Sequence, residues 1–163
     1  MTIRTATEKD LAAIVEIYNQ AIRSKFETAE TTEVTAADKK AWFAEHNPDT
    51  HPIFVCETNG KVVGWLSISP YRKGREALRF TVEISNYVHN DFKRQGIGTK
   101  LIQHAINTGK ALGYRTLIGI ILDKNQASIN LLKKFDFEQW AQLPDVADFD
   151  GELCGHVYLG RKL

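Results

Sequence analysis

The sequence predicts a single mixed α/β domain that covers residues 1–163. Three observations support this prediction. Strand-like and helix-like segments alternate along the chain, Asn59-Gly60 separates two strand-like runs as in a hairpin, and the run RTLIGIIL (115–122) is apolar from Leu117 onward, as expected of a central strand. A length of 163 residues suits one domain, and no repeat, linker or low-complexity segment interrupts the chain.

The first half of the chain begins with the pattern of one strand and two helices. Residues 2–6 are predicted to form the strand, and Thr7 is predicted to cap the helix that follows. The polar segment 25–34 is interpreted as a loop. Thr35 is a second candidate cap, and its helix is expected to end before Asn47-Pro48, because proline disfavours helical backbone in the residue before it.

The second half of the chain is predicted to complete the sheet. A strand is predicted over 78–88, and an amphipathic helix runs from about Gly98 to Leu112, where a glycine follows as a natural helix end. The central strand and a short helix within 125–135 come next. Two closing strands are predicted within 137–143 and 153–163.

Composition and charge exclude several classes of protein. The formal net charge is +1, so the chain lacks the basic excess typical of nucleic-acid binding and the acidic excess that favours a cationic partner. Cys56 and Cys154 have the spacing of neither a disulfide framework nor a zinc site, so reduced thiols and no metal are expected. The first ten residues lack the apolar run of a signal peptide, and no stretch has the length of a membrane span. We therefore expect a cytoplasmic protein without membrane or nucleic-acid partners.

A glycine pair, Gly96 and Gly98, lies between the strand that ends at Val88 and the long helix. Free N–H groups at such a junction and the positive end of the helix dipole form an anion site, and Lys93 and Arg94 add positive charge. A pyrophosphate fits this chemistry. The segment is neither a dinucleotide fingerprint nor a P-loop, because it lacks a required glycine of each motif. The alternative interpretation is a tight turn with a solvated basic flank.

Four segments resemble the GCN5-related N-acetyltransferase superfamily, in particular its phosphinothricin acetyltransferase and L-amino acid N-acyltransferase branch. YVHNDFKRQGIGTKLI (87–102) is similar to the acetyl-CoA loop of that superfamily, and FTVEISNYV (80–88) is similar to the strand that precedes the loop in this branch. DKNQASINLLKKFDF (123–137) resembles the helix that closes the cofactor site, and 2–22 resembles the first strand and helix.

The resemblance implies a mostly antiparallel mixed sheet flanked by helices, with acetyl-CoA in a gap between two splayed parallel strands. It also implies that the 93–99 loop holds the pyrophosphate, that the preceding strand pairs with the pantetheine arm, and that an asparagine approaches the thiol end. The implied cofactor-binding residues are Asn86, Tyr87, Val88, Lys93, Arg94, Gln95, Gly96, Ile97, Gly98, Thr99 and Asn125.

Acyl transfer from a thioester to an amine needs a base, because a free α-amino group, with a pKa of about 7.7–8.0, is mostly protonated at pH 7. Glu83 is the candidate, since the resemblance places it at the catalytic glutamate position and partial burial in an otherwise apolar strand would raise its pKa. The alternative is an exposed carboxylate on the polar face of the strand. His156 is the competing base, and Cys154 has no convincing partners for nucleophilic catalysis.

Arg72 and Arg79 are the candidate substrate-binding residues. The guanidinium fork suits a carboxylate or phosphinate, and the resemblance places arginines at both positions near an amino acid substrate. If the strand includes Arg79, this residue lies on the same face as Glu83, about 13 Å away along the strand. The alternative is that both arginines are solvated loop cations.

Three sites depart from the pattern of the superfamily. Lys93 replaces the usual Gln or Arg, although its ammonium can still meet a phosphate. Asp136 stands at a turn where relatives carry glycine. Leu131 and Leu132 stand where many relatives carry a Tyr or His that protonates the coenzyme A thiolate, so no such acid is expected from this helix.

The sequence thus predicts an acetyl-CoA-dependent N-acetyltransferase that acts on the amine of a small molecule, an amino acid or an analogue of the phosphinothricin or methionine sulfoximine type. Two alternatives stay open. One is an enzyme of the same fold that acts on protein or aminoglycoside amines, and the other is a non-catalytic acyl-CoA sensor, which would need no base. The resemblance also implies a homodimer.

Overall fold

The computed structural model describes residues 1–163 and contains seven strands, four α-helices and three short 3-10 turns. The strands are β1 (Thr2–Thr5), β2 (Ile53–Thr58), β3 (Lys61–Pro70), β4 (Thr81–Val88), β5 (Thr116–Leu122), β6 (Glu138–Phe149) and β7 (Glu152–Lys162). The α-helices are α1 (Leu11–Arg23), α2 (Ala36–Ala44), α3 (Ile97–Ala111) and α4 (Gln126–Lys133). The 3-10 turns lie at Glu8–Asp10, Glu76–Leu78 and Asn90–Phe92.

All seven strands belong to one sheet with the order β1-β2-β3-β4-β5-β7-β6. Every neighbouring pair is antiparallel except β4 and β5, which are parallel. Their pairing covers Thr81 to Glu83 on β4 and Thr116 to Ile118 on β5 and then stops, although both strands continue. The predicted fold class is therefore confirmed, including the pair of splayed parallel strands.

The two faces of the sheet carry different helices. Val82, Ile84 and Leu117 belong to the main core, which also contains the buried faces of α3 and α4. On the opposite face, Ile14 of α1 packs on Trp65, and the Trp65 indole N–H donates to the Ile14 carbonyl at 3.1 Å. Because side chains alternate along a strand, β4 sends its even-numbered residues into the main core and its odd-numbered ones toward α1 and α2.

Several local predictions from the sequence are confirmed. The Asp10 carboxylate accepts a hydrogen bond from the Thr7 N–H at 2.8 Å, and Thr35 forms a capping box that begins α2. Asn59 and Gly60 have φ of 50° and 73°, as a two-residue hairpin turn requires.

Two element boundaries predicted from the sequence were wrong. The strand predicted from residue 78 begins at Thr81, because Glu76–Leu78 form a 3-10 turn and Arg79 has helical backbone angles. The strand predicted to end at 143 continues as β6 to Phe149. Its pairing with β7 is irregular between Leu143 and Ala147, and β6 is an edge strand, where a proline is tolerated.

Candidate active site

Glu83 lies on β4 at the last residue pair before β4 and β5 separate. It is opposite Ser69 of β3 on one side and Ile118 of β5 on the other. The side chain is half-buried, and burial raises the pKa of its carboxyl above the ordinary range without any hydrogen bond or nearby charge to offset it. The ionised carboxylate therefore has no partner in the structure that neutralises its charge.

Glu83 is shared by two cavities. The first, here called the aromatic cavity, has a volume of about 260 Å³ and lies between the sheet and the helices α1 and α2. The second, called the central cavity, has a volume of about 330 Å³ and lies along the gap between β4 and β5. The aromatic cavity is lined by Ile14, Val15, Tyr18, Lys39, Trp42, Trp65, Ser67, Ser69, Glu83, Ser85 and Tyr87.

A third concave region, called the loop groove, surrounds the segment 93–99. Gly96 has a φ of 80° and precedes the first residue of α3, so the free N–H groups of the first helical turn face this region. A Cβ atom on Gly98 would lie 2.9 Å from Leu131 Cδ2 and 3.8 Å from Asn86 Nδ2, both of which belong to residues that line the groove. A glycine at 98 therefore keeps the groove open to a ligand.

Nearly all the predicted cofactor-binding residues line the loop groove. The exception is Gln95, whose side chain donates to the Asp91 carbonyl at 3.1 Å instead. The predicted residues that line the groove are Asn86, Tyr87, Val88, Lys93, Arg94, Gly96, Ile97, Gly98, Thr99 and Asn125.

The sequence pattern of the acetyltransferase (GNAT) family matches residues 11–137, which include α1, the glycine loop and α4. The chain belongs to this family. Three curated relatives align over 100% of this chain. YwnH of Bacillus subtilis is 37% identical and aligns over 99% of its own length, and the L-amino acid N-acyltransferase MnaT of Escherichia coli is 36% identical and aligns over 94%. The L-methionine sulfoximine/L-methionine sulfone acetyltransferase of Salmonella typhimurium is 35% identical and aligns over 95%. This GNAT protein therefore falls in the phosphinothricin and L-amino acid acyltransferase branch.

Solved structures show the same similarity. The phosphinothricin acetyltransferase of Sinorhizobium meliloti in complex with acetyl-CoA superposes with a TM-score of 0.93 at 29% identity, over 99% of this chain and 88% of that one. The ribosomal-protein-alanine N-acetyltransferase of Brucella melitensis superposes with a TM-score of 0.94 at 32% identity, over the full length of both chains. Both confirm the GNAT fold.

Lys93 of the GNAT loop is not a free cation. Its ammonium lies 2.6 Å from the Glu27 carboxylate, in the segment between α1 and α2. Glu27 lines both the loop groove and the central cavity. No pattern in the sequence predicts this pair, because its members are 66 positions apart. An anion in the groove would have to compete with Glu27 for Lys93.

The helix α4 agrees with the GNAT pattern at its start and its end. Asn125 caps it, and its side-chain oxygen accepts a hydrogen bond from the Ser128 N–H at 3.1 Å. Asp136 adopts a φ of 57°, so it keeps the left-handed turn that glycine provides in relatives. Leu131 lines the loop groove and Leu132 is buried in the main core, so neither position supplies a proton donor.

Two side chains on β7 share the central cavity with Glu83. Ile118 of β5 is opposite Glu83, and Ile120, two residues later on the same face of β5, is opposite Tyr158 of β7. Glu83 and Tyr158 therefore face the same side of the sheet. His156 is two residues before Tyr158 and lines the same cavity, as expected for a residue that faces the cleft. Tyr158 was missed in the sequence, although its two-residue spacing from His156 was a usable signal.

Arg72 and Arg79 lie elsewhere. They line a separate cavity beside the 71–79 segment, and Glu83 does not take part in it. Arg79 forms an ion pair with Glu76 at 3.4 Å and its guanidinium lies 4.4 Å from the centre of the Phe80 ring. The premise that Arg79 shares a strand face with Glu83 was wrong, because β4 begins two residues after Arg79.

The structure contains neither a metal-binding cluster nor a helix that could span a membrane. No group of three or more His, Cys, Asp or Glu side chains is arranged to hold a metal ion. No helix has the length and apolar character needed to cross a membrane.

Proposed function

We propose that this acetyltransferase transfers the acetyl group of acetyl-CoA to the amine of a small molecule, an amino acid or an analogue of the phosphinothricin or methionine sulfoximine type, with Glu83 as general base. The observation that carries the proposal is the position of Glu83 at the junction of the aromatic cavity and the central cavity. An acceptor in the first cavity and a thioester in the second would meet at this carboxylate. The names of the relatives support this acceptor class.

The loop groove and the β4–β5 gap fit acetyl-CoA in complementary ways. The glycine-lined start of α3 supplies N–H groups and the positive end of the helix dipole to a pyrophosphate. Beyond Glu83, the β5-facing side of β4 has no strand partner, so the backbone of Asn86 to Val88 is available to the amide groups of the pantetheine arm. Asn125 lines both the groove and the central cavity, which supports a contact with the thiol end of the cofactor.

The chemistry then follows from the groups at the junction. Glu83 takes a proton from the acceptor ammonium, directly or through one water, and its raised pKa brings it closer to that of the amine than an ordinary carboxyl would be. The neutral amine attacks the thioester carbonyl. The departing thiolate has an ordinary pKa of about 8.5, and we assign its protonation to the Tyr158 hydroxyl, one of the proton-donating groups that line the central cavity.

A screen of amine acceptors with acetyl-CoA, in which free thiol is measured, tests this function. Glu83→Gln should lower kcat by about 10²–10⁴-fold and remove the acidic limb of the kcat–pH profile, with acetyl-CoA affinity unchanged. Glu8→Gln is the matched control, because this carboxylate is exposed and remote from both cavities. If Glu83→Gln retains kcat within a few-fold of the parent at every pH, His156 becomes the base to test.

The alternative acceptors differ in how well they fit the aromatic cavity. A protein amine has the support of the Brucella melitensis structure, whose name describes a protein substrate. An aminoglycoside carries several cationic amines, whereas the cavity contains one carboxylate. A non-catalytic sensor would not need a carboxylate such as Glu83 where the two cavities meet. Including a peptide and an aminoglycoside in the screen separates these possibilities.

We also propose that the chain works as one domain and as a cytoplasmic homodimer. The strands β6 and β7 expose large apolar side chains on one edge of the sheet, namely Trp140, Leu143, Val146 and Leu153. A surface of this kind favours burial against a second copy. Both cysteines are unpaired, as in a reducing compartment. Light scattering on the parent and on Val146→Asp tests the dimer, since an unchanged mass for the variant would contradict this interface.

A further inference from the structure

Two of the side chains that line the aromatic cavity are charged at neutral pH, and their charges are opposite. Lys39 is the one cation among its lining residues and Glu83 is the one carboxylate. The remaining walls are aromatic, aliphatic and hydroxyl groups. A ligand that fills this cavity therefore meets one negative and one positive group among aromatic, aliphatic and hydroxyl side chains.

Lys39 is held at the cavity by its position on α2. The Thr35 capping box fixes the start of the helix, and the Asp38 side chain is committed to that box through the Thr35 N–H and hydroxyl. The Lys39 ammonium lies 4.8 Å from the centre of the Tyr18 ring and 5.9 Å from that of Trp42. These contacts place the charge against the aromatic wall.

Lys39 differs from Lys93 and Arg79 in that it has no anionic partner. No carboxylate lies within 4 Å of its ammonium, whereas Lys93 is paired with Glu27 and Arg79 with Glu76. A half-buried cation without an anionic partner, in the cavity that Glu83 shares, is available to an anion of the ligand.

We propose that Lys39 binds the carboxylate, or an equivalent anion, of the acceptor, and that the aromatic walls accept an uncharged side chain. This inference rests on the proposed function and assigns the anion recognition to α2 instead of the 72–79 segment. It makes the acceptor an amino acid whose amine faces Glu83 and whose carboxylate faces Lys39. Polyamines are disfavoured, because their second cation would meet Lys39.

The test compares acids with matched neutral amides. L-methionine sulfone, L-phenylalanine and L-leucine, each with its carboxamide, are assayed for kcat/KM in the parent and in Lys39→Met. The parent should prefer the acids by about 10-fold or more, since a hydrogen bond to a charged group contributes at that level. Lys39→Met should lose most of this preference, and Lys39→Arg should retain it.

Two control variants locate the effect. Lys40→Met removes the neighbouring exposed lysine, which lies outside the cavity, and should behave like the parent. Arg79→Ala removes one of the two rival arginines and should also keep the acid preference. Melting temperatures of all variants show whether each one folds. An acid preference that survives Lys39→Met and disappears in Arg79→Ala overturns the proposal.

Binding is measured separately from turnover, because Trp42 and Trp65 line the cavity and their fluorescence reports its occupancy. The same acids and amides are titrated in the presence of coenzyme A. Lys39-dependent binding of the acids without acetylation would refute the proposed function and leave the anion site intact. Equal binding of acids and amides by the parent, or no binding of any probe, would refute the anion site.

Discussion

Replacing Gly98 by glutamate and, in parallel, by glutamine separates the effect of charge from the effect of bulk in the loop groove. The Cβ of either residue points toward Leu131, Asn86 and Val88, all of which line the groove. Leu131 Cδ2 is the end of a flexible side chain and can shift to relieve the new contact of 2.9 Å. Both variants should therefore fold, and both should place a side chain where phosphates are proposed to lie.

The difference between the two variants follows from Coulomb's law. A carboxylate about 5 Å from one phosphate charge, at an effective dielectric constant of about 20, is disfavoured by about 3 kcal/mol, and solvent exposure reduces this value. We therefore expect Gly98→Glu to bind coenzyme A about 10–100-fold more weakly than Gly98→Gln. Calorimetry at low and high salt is the assay, and the gap should narrow at high salt because mobile ions screen the repulsion.

Two results would exclude a pyrophosphate at the start of α3. If both variants bind coenzyme A with the affinity of the parent, the pyrophosphate does not lie at the start of α3. If both lose affinity equally at every salt concentration, bulk alone explains the loss and the anion site is wrong.

Three further predictions concern charged groups. Glu27→Gln frees Lys93 and should tighten coenzyme A binding several-fold by calorimetry, whereas weaker binding would mean that Glu27 positions Lys93 for the ligand. Burial raises the pKa of Glu83, so the ionised carboxylate destabilises the fold at a pH above that pKa. In urea melts, Glu83→Gln should therefore be more stable than the parent at pH 8, and this difference in stability should shrink as the pH falls. A difference that stays constant with pH would contradict the burial of the charge. Arg4 donates two hydrogen bonds to Asp10, at 2.7 and 2.8 Å, and lowers the pKa of Asp10 to about 2, so the ion pair stabilises the fold above the ordinary pKa of Asp and this stabilisation is lost as the pH falls toward 2. In urea melts, Asp10→Asn should lower the free energy of unfolding by about 1–2 kcal/mol at pH 7 and by much less at pH 2.5. An equal loss at both pH values would exclude the ion pair as the cause.

The parts of the site that the sequence predicted depend on local structure. The loop groove follows from Gly96 and Gly98 at a strand-to-helix junction, where backbone geometry and the helix dipole act over a few residues. The face of Glu83 follows from two-residue alternation within one strand. Neither feature depends on contacts between segments that are distant in the sequence.

The parts that the sequence did not predict depend on contacts between distant segments. The apolar and aromatic residues before Thr81 favoured an extended strand, but a 3-10 turn precedes it and Phe80 packs between the guanidinium groups of Arg79 and Arg115. The aromatic cavity combines side chains of α1, α2, β3 and β4, so no spacing along the chain marks it. For the same reason the sequence does not predict that Lys39 and Glu83 line the same cavity.

The early end of the β4–β5 pairing gives this sheet two strand edges in its interior. Three residue pairs hold the two halves of the sheet together along this seam, and the edges beyond them lack a strand across the gap. In the free protein, backbone amide hydrogens that point into the gap should exchange with solvent rapidly. Amide hydrogens of the same two strands that are bonded to β3 or β7 should exchange more slowly. A molecule that supplies amide donors and acceptors between the edges completes the ladder. Hydrogen exchange along Ser85 to Val88 and Gly119 to Leu122 would then record how far such a molecule extends into the seam.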